Sequence, residues 1–241
     1  IVAGIFKYHR LRKSFYKQID RYICLNENQI RLLTDIGFDP RKITKKYNFV
    51  PDAEANLTAA PAEDLPRRYV VFYGRIGEEK GIRILMGIWD TLPDIPLVVM
   101  GGGPLEEEFA AWAARHEQVH FLGYTQHDRC LSIVKGSEFV VFPSIWYEGC
   151  SMVEIETESL GRGLIATDLG FSAEAIENGV NGYKAPLGDV EGFRQRIVDL
   201  WNDPERISAI GSNARKDYEQ KYRPEDNYAQ LMKIYREAGE H

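Results

Sequence analysis

The sequence is poor in cysteine and has no excess of basic charge. Its three cysteines, Cys24, Cys130 and Cys150, lie far apart and form no Cys-x-x-Cys pair, which is typical of a reducing compartment and argues against a disulfide framework or a zinc site. Thirty basic residues against 36 acidic ones give a net charge of −6, so the overall charge does not favour a nucleic-acid partner. No apolar run is long enough to span a membrane, and no stretch resembles a signal peptide. These absences predict a cytoplasmic protein that does not bind nucleic acid.

Metal ligands and nucleophiles in suitable surroundings are also scarce. His116, His120 and His127 surround one predicted strand without metal-ligand spacing, so surface or core roles are expected for them. Cys150 has no histidine near it in sequence and is expected to fill space and not to act as a nucleophile. A hydrophobic content of 44% and a charged content of 27% are those of a soluble globular protein. We therefore predict neither a metal nor a cofactor.

From Tyr69 onward, short apolar runs alternate with amphipathic stretches. The runs are rich in Val, Ile and Phe and are too continuous to have one face in water, as in the buried strands of parallel sheets. Strands that alternate with helices through short connections predict a parallel sheet with right-handed crossovers. The fold class is therefore predicted to be α/β with a Rossmann-like sheet. The predicted strands are YVVFYG (69–74), PLVVM (96–100), VHFLG (119–123), EFVVFPS (138–144) and GLIATD (163–168).

The chain is predicted to have three parts. Residues 1–51 contain a basic helical stretch, a strand at YICL, and then a helix, a turn and a strand-like exit, which we interpret as the tail of a preceding unit. Pro51 and the residues after it are rich in proline, so residues 52–66 are predicted to be a linker. Residues 67–241 are predicted to form the Rossmann-like domain, which closes with three helical stretches.

The loops that follow the first two strands carry glycines and cations. Ligands of a parallel α/β sheet bind beyond the carboxyl ends of its strands, where helix N-termini offer free N–H groups. In GRIGEEKG (74–81), Arg75 and Lys80 would suit a diphosphate; the alternative is a solvated loop in which both pair with the neighbouring glutamates. In GGGPLEEE (101–108), Glu106 occupies the third glycine position of the dinucleotide fingerprint, which argues against a nicotinamide dehydrogenase. The glycines would still let the backbone approach a flat base.

Four glutamates lie within the fifteen residues YEGCSMVEIETESLG (147–161). Ser151 and Glu154 form a capping box, so a helix is expected to start at Ser151. At 100° per residue, Glu154, Thr157 and Glu158 fall on one arc, which we expect to be solvated, whereas Glu156 falls among apolar residues. A carboxylate in an apolar arc is costly unless it has partners. Glu156 and Glu148, which precedes the cap, are therefore the candidates for contact with a ligand.

At this point several motifs together resemble one family. PSIWYEGCSMVEIE is similar to the E-x7-E motif of the retaining GT-B glycosyltransferases of family 4, with Glu148 and Glu156 as its two glutamates. FYGRIGEEKG, VVMGGGP, VHFLGY and DLGFSAEAIENGVNGY resemble further motifs of that family, in the same order. The resemblance covers roughly residues 20–240 and implies the C-terminal, donor-binding half of a GT-B enzyme with a remnant of the N-terminal acceptor domain.

The resemblance also implies roles for individual residues towards a nucleotide-diphosphate sugar. Glu148, the catalytic candidate, would hold a sugar hydroxyl, and Glu156 would hold the ribose. The motif usually runs Glu-Gly-Phe-Gly, whereas here Cys150 and Ser151 follow Glu-Gly, which alters the sugar pocket. The implied diphosphate-binding residues are Arg75, Lys80, Gly149, Cys150 and Ser151. The implied base-binding residues are Gly102, Gly103, Gly123 and Tyr124.

The implied activity is transfer of a sugar, of the hexosyltransferase type, with retained configuration to an unknown acceptor, either a cell-surface glycan or a lipid-linked molecule. The alternatives are a nucleotide-sugar 2-epimerase of the same fold and a non-catalytic nucleotide-sugar-binding module. The absence of any Asp-x-Asp argues against the metal-dependent GT-A class. We expect residues 1–241 alone to be inactive, because half of the cleft would be missing. The basic N-terminal helix is either solvated or in peripheral contact with anionic lipid at the inner face of the membrane; its cations are Lys7, Arg10, Arg12, Lys13, Lys17 and Arg21.

Overall fold

The central feature of the computed structural model is a six-stranded, wholly parallel sheet. The structure describes residues 18–57 and 65–239. The strand order is β5-β4-β3-β6-β7-β8, so the chain reverses direction across the sheet between β3 and β6. The α/β prediction is confirmed. The strands of this sheet are β3 (Val70–Tyr73), β4 (Leu97–Met100), β5 (Val119–Phe121), β6 (Phe139–Phe142), β7 (Gly163–Thr167) and β8 (Gly182–Ala185).

Helices lie on both faces of the sheet and close two apolar layers. Every residue of β3, β4, β6 and β7 is buried, as the continuous apolar runs predicted, because both faces are covered. The amphipathic stretches between the predicted strands form helices, as do the three closing helical stretches. They are α2 (Ile82–Trp89), α3 (Glu106–Ala113), α4 (His127–Gly136), α5 (Met152–Ser159), α7 (Val190–Trp201), α8 (Pro204–Lys221) and α9 (Pro224–Gly239).

Two elements of the sheet domain were not predicted. The edge strand β8 has only its first and last residues buried, so its sequence, GYKA, carries no continuous apolar run. The helix α6 (Gly170–Ala175) is six residues long and has no side-chain cap. It therefore lacks the capping residue from which the start of a helix is usually predicted. Both follow β7 and complete the edge of the sheet.

The first segment, residues 18–51, forms a small two-stranded parallel sheet and a helix. Tyr22–Cys24 (β1) pairs with Ile43–Lys45 (β2), and α1 (Glu27–Asp35) connects them through a 3-10 turn at Pro40–Lys42. The strand predicted at YICL and the helix after it are confirmed. Whether this segment belongs to a preceding domain stays a prediction.

The first segment packs against α6 and α9 of the domain that contains the six-stranded sheet. Glu174 accepts hydrogen bonds from the Glu27 N–H at 2.7 Å and from Lys45 Nζ at 2.8 Å. Behind these polar contacts, an apolar cluster joins the segment to the helices; it contains Val50, Cys150, Ile155, Phe171, Ala175, Tyr218 and Tyr222. The segment is therefore anchored beside the loop that precedes α5.

Two expectations fall partly outside the described residues. Of the basic stretch, Lys7, Arg10, Arg12, Lys13 and Lys17 lie outside them, and the described Arg21 lies 3.7 Å from Glu237. In the predicted linker, residues 52–57 and 65–66 are described as turns and irregular structure. Among the described residues, no helix is both long and apolar enough to cross a bilayer.

Candidate functional site

Four loops meet at the carboxyl edge of the sheet, after β3, β4, β5 and β6. Backbone hydrogen bonds join the first three: the Ile76 N–H donates to the Gly102 carbonyl at 3.0 Å, and the Gly101 N–H donates to that of Gly123 at 2.8 Å. The loop after β6 is joined by the Ile145 N–H, which donates to Glu79 O at 3.0 Å. The residues that the sequence analysis singled out therefore share one edge, at the reversal between β3 and β6 where ligands of such sheets bind.

A cleft of about 380 Å³ opens between the loops after β3, β4 and β5. Of the residues predicted to contact diphosphate or base, Arg75, Gly102 and Tyr124 line it. Tyr124 exposes 77% of its surface, so its ring is free to stack on a planar ligand. Gly103 and Gly123 do not line the cleft. They take part in the backbone contacts between the loops that form its wall.

Lys80 is brought to the site by a tight approach between two loops. It ends a 3-10 turn at Glu78–Lys80, and the following Gly81 has φ of 73°. A Cβ on Gly81 would overlap the Pro143 carbonyl oxygen, so glycine lets the loop after β3 press against the loop after β6. Lys80 Nζ lies 5.3 Å from the centre of the Phe142 ring and forms an ion pair with Glu148.

The two cations of this loop differ in their surroundings. The Arg75 side chain is 65% exposed and lies 3.4 Å from Glu79, which matches part of the alternative interpretation as a solvated loop. The Lys80 side chain is only 21% exposed and pairs with Glu148 instead of a neighbouring glutamate. That interpretation is therefore wrong for Lys80, which points into the site.

Glu148 is held on three sides. Its Oε1 accepts from Lys80 Nζ and, at 3.4 Å, from Ser144 Oγ. Its backbone carbonyl accepts from the Phe171 N–H at 3.0 Å. Gly170 allows that contact, because it has φ of 59° and a Cβ there would lie 2.7 Å from the Glu148 carbonyl oxygen. The carboxylate is 17% exposed and largely fixed, and neither Glu148 nor Lys80 is among the residues that line the cleft.

The residues after Glu148 form a turn into α5, as predicted. Ser151 is the N-cap, and its Oγ accepts from the Glu154 N–H at 3.3 Å. Cys150 is buried, and burial raises the pKa of its thiol to about 11. Because the thiolate is the reactive form, this cysteine is a poor nucleophile at neutral pH, which agrees with the expectation that it fills space.

Glu156 lies on α5 beneath the cleft and has two polar neighbours. Its Oε1 lies 3.7 Å from His127 Nε2, and the Tyr73 hydroxyl is also close to it. Burial raises the pKa of Glu156, while His127 and Tyr73 oppose that rise. The expectation that this carboxylate would be largely buried and would need partners therefore agrees with the structure. His127, to which the sequence analysis gave no site role, is one of those partners and lines the cleft.

The predicted solvated face of α5 is wrong. Glu154, Thr157 and Glu158 are 1%, 0% and 3% exposed, whereas Met152 is 43% exposed. The periodicity argument assumed that only one face of the helix is covered. In the structure α8 packs on the opposite face, so that α5 is buried on both sides. Ser172 Oγ donates to Glu154 Oε1 at 2.8 Å.

Three comparisons relate this chain to known proteins. The family model described as "Glycosyl transferases group 1" matches residues 54–217. The D-rhamnosyltransferase WbpZ of Pseudomonas aeruginosa is 28% identical over 88% of this chain and 58% of its own length. The alpha-D-kanosaminyltransferase of Streptomyces kanamyceticus is 30% identical over 76% of this chain and 50% of its own length. The chain thus spans little more than half of these relatives.

Solved structures share the fold. The Anabaena protein Alr3699/HepE, in complex with UDP and glucose, superposes with a TM-score of 0.77 at 19% identity, over 90% of this chain and 62% of its own. The sucrose-phosphate synthase of Thermosynechococcus elongatus has a TM-score of 0.78 at 20% identity, over 95% of this chain and 61% of its own. The predicted GT-B architecture is confirmed by these likenesses. Since the family model matches most of the chain, the protein belongs to the group 1 glycosyl transferases.

Proposed function

We propose that this chain is the donor-binding part of a retaining GT-B glycosyltransferase of family 4. The whole enzyme would move a sugar, in the manner of a hexosyltransferase, from a nucleotide donor to a cell-surface glycan or a lipid-linked acceptor. The observation that carries the proposal is the Lys80–Glu148 pair at the carboxyl edge of the sheet, the same edge at which a cleft of about 380 Å³ opens. A cation for phosphate and a carboxylate for a hydroxyl are thereby adjacent, which suits the two halves of a sugar diphosphate.

The proposed roles are those that the family resemblance implies for these residues. Tyr124 and the glycine backbone after β4 would contact the base, while Glu156, beneath the cleft, would accept hydrogen bonds from the ribose hydroxyls. Lys80 and Arg75 would neutralise the diphosphate, together with the amides of Gly149–Ser151. Glu148 would then hold a hydroxyl of the transferred sugar. The Alr3699/HepE complexes with UDP and UDP-glucose support a donor of this class.

Acceptor binding belongs to a part of the enzyme beyond this chain. The chain covers 58% of the length of the P. aeruginosa relative and 63% of an O-antigen chain mannosyltransferase of Escherichia coli. Donor and acceptor must be held within mutual reach for transfer. We therefore propose that turnover requires the part of the enzyme beyond this chain. Localisation at the inner face of a membrane would depend on the acceptor.

A panel of nucleotide sugars tests the donor proposal. A ligand that binds only the native state raises the melting temperature by an amount that grows with its concentration relative to Kd. UDP- and GDP-sugars should each be compared with their free nucleotides in a thermal-shift series. Lack of any shift with all donors would contradict the proposal. Product analysis with the full-length enzyme would then separate a transferase from a 2-epimerase or a non-catalytic module.

Binding of the donor is expected to need no divalent metal. Within residues 18–57 and 65–239, no group of three His, Cys, Asp or Glu side chains could hold a metal ion. Lys80 and Arg75 supply positive charge in its place. Calorimetric titration with UDP should give the same Kd in 5 mM magnesium and in a chelator, to within about a factor of two. A tenfold loss on chelation would show that the phosphates need a metal bridge.

The two glutamates of the motif should have separable effects on ligand binding. Glu156→Gln should weaken UDP and UDP-glucose alike by roughly ten- to a hundredfold, because both contain the ribose and a hydrogen bond to a charged group contributes about 1.5–3 kcal/mol. Glu148→Gln should weaken only UDP-glucose relative to UDP. Bare UDP should bind Glu148→Gln as tightly as wild type or more so, since the carboxylate no longer competes with phosphate for Lys80.

Two titrations on each variant check this pair. The matched control is Glu177→Gln, which changes an exposed glutamate away from the cleft. Equal losses for UDP and UDP-glucose in Glu148→Gln would contradict the assignment of this residue to the sugar.

A further inference from the structure

The loop Glu148–Ser151 is held from behind by two asparagines of the first segment. Asn26 Nδ2 donates to the Gly149 carbonyl at 2.7 Å and lies 3.5 Å from that of Glu148. Asn48 Nδ2 lies 3.5 Å from the Cys150 carbonyl. Three successive carbonyls of the loop are thus directed towards residues more than a hundred positions earlier in the chain.

Asn26 is set rigidly for this contact. It is the N-cap of α1, where its Oδ1 accepts from the Gln29 N–H at 2.8 Å, and it is 1% exposed. The cap fixes the oxygen of the side-chain amide, so the nitrogen must face the other way, towards the loop. The cap signal was present in the sequence, but nothing local indicated the second partner.

Because of the geometry of the peptide bond, this contact also fixes the direction of the loop's N–H groups. In a trans peptide, the carbonyl of one residue and the N–H of the next point in opposite directions. With the carbonyls of Glu148, Gly149 and Cys150 held towards the first segment, the next three N–H groups point away from it. None of the hydrogen bonds found among the described residues uses the N–H of Gly149, Cys150 or Ser151.

We infer that Asn26, assisted by Asn48, is a positioning residue that aims the amides of Gly149–Ser151 at the diphosphate and sugar of the donor. The inference rests on the proposed function, because the donor is the ligand that these amides would meet. A row of N–H groups with a fixed direction binds an anion more tightly than a mobile loop does, because less conformational entropy is lost on binding. The first segment thereby contributes to the donor site without touching the ligand.

The variant that tests this inference is Asn26→Asp. Aspartate is as good an N-cap as asparagine, but it replaces the donating amide with an oxygen that faces two carbonyls. Asn28→Asp is the matched control, because it adds the same charge in the first turn of the same helix, where Asn28 Oδ1 accepts a hydrogen bond from Arg31. Asn48→Ala is a second variant that leaves the cap of α1 untouched.

Two measurements on the full chain are decisive. In the unliganded protein, ¹⁵N order parameters of Gly149, Cys150 and Ser151 should fall from about 0.85 in wild type to below about 0.6 in Asn26→Asp, while Asn28→Asp matches wild type. UDP-glucose affinity should fall roughly tenfold in Asn26→Asp, whereas UMP, which lacks the second phosphate and the sugar, should bind all variants equally. Asn48→Ala should show the same pattern with smaller changes.

The outcomes separate this inference from the proposed function. Order parameters at Gly149–Ser151 that stay at the wild-type value in Asn26→Asp would overturn the inference. A mobile loop with unchanged UDP-glucose affinity would also overturn it, because the amides would then not act on the donor. If wild type binds neither UDP-glucose nor UMP, the proposed donor fails, and the order parameters alone decide whether Asn26 holds the loop.

Discussion

Replacing Lys80 with alanine is expected to weaken UDP binding by roughly ten- to a hundredfold, which corresponds to about 1.5–3 kcal/mol for a hydrogen bond to a charged group. Lys80 is the cation that points from the loop after β3 to the carboxylate of Glu148. Its side chain is 21% exposed, so its charge is less screened than that of a surface lysine. Loss of the cation would also leave the Glu148 carboxylate unopposed beside the incoming phosphates.

A matched control lies three residues further along the chain, in α2. Arg83 is half exposed and pairs with Glu78 and Glu108, away from Glu148. Arg83→Ala removes the same formal charge and should leave the Kd for UDP within about a factor of two, because a surface pair is largely screened. Arg75→Ala should lie between the two, since Arg75 lines the cleft but is 65% exposed.

Calorimetric titration of UDP at two salt concentrations would check the series. The difference between Lys80→Ala and Arg83→Ala should persist at high salt, because a partly buried charge is screened less than exposed ones. Equal losses in both variants would mean that UDP senses only the net charge of the surface. An unchanged Kd in Lys80→Ala would remove the diphosphate from this loop.

The sheet was predictable because its signals are local. Each inner strand is a short run of buried and mainly apolar residues, and burial on both faces produces that pattern directly. The edge strand Gly182–Ala185 has one buried residue at each end, so the same rule could not find it. The capping of α5 by Ser151 was equally local and is confirmed.

The site was only partly predictable, because several of its contacts join distant parts of the chain. The motif indicated Glu148 and Glu156, but spacing along α5 did not separate Glu156 correctly from Glu154 and Glu158, which are more deeply buried than Glu156. Nothing in sequence links Asn26 with Gly149, which are separated by 123 positions. His127 was equally out of reach, since its proximity to Glu156 depends on how α4 packs beside α5.

The error on α5 has a specific physical cause and a measurable consequence. A helix in a doubly wound sheet usually has one covered face, and periodicity assigns the remaining arc to water. Here α8 covers that arc, so Glu154 and Glu158 are buried one turn apart. Each has an Oε2 atom without a hydrogen-bond partner among the described residues. Burial of these carboxylates without an ion pair among the described residues favours their protonated forms.

The pKa shifts of these two residues indicate that they are protonated in the folded state. Burial raises the pKa of Glu154 to about 8 from an ordinary value of 4.5. Burial, with Asp217 and Glu154 nearby, raises the pKa of Glu158 well above its ordinary value, although Lys221 opposes the rise. Between pH 4.5 and about 8 the folded chain therefore keeps protons that the unfolded chain releases. The free energy of unfolding should accordingly be highest near pH 4.5 as far as these groups are concerned, and should fall as pH rises towards 8.

Glu158→Gln should abolish most of the fall in the free energy of unfolding that Glu158 causes as the pH rises towards 8. Glutamine has the shape of the protonated acid and cannot ionise, so the variant should match wild type near pH 5. At pH 8 it should be more stable than wild type, because glutamine keeps the neutral, buried form that Glu158 loses as the pH rises. UDP affinity should not change, because Glu158 faces α8 and not the cleft. Urea unfolding at pH 5, 6.5 and 8, with the exposed Glu177→Gln as control, would measure the effect. A Glu158→Gln protein that is less stable than wild type at pH 8 would show that the native carboxylate is ionised and paired, and that its burial has a compensating partner.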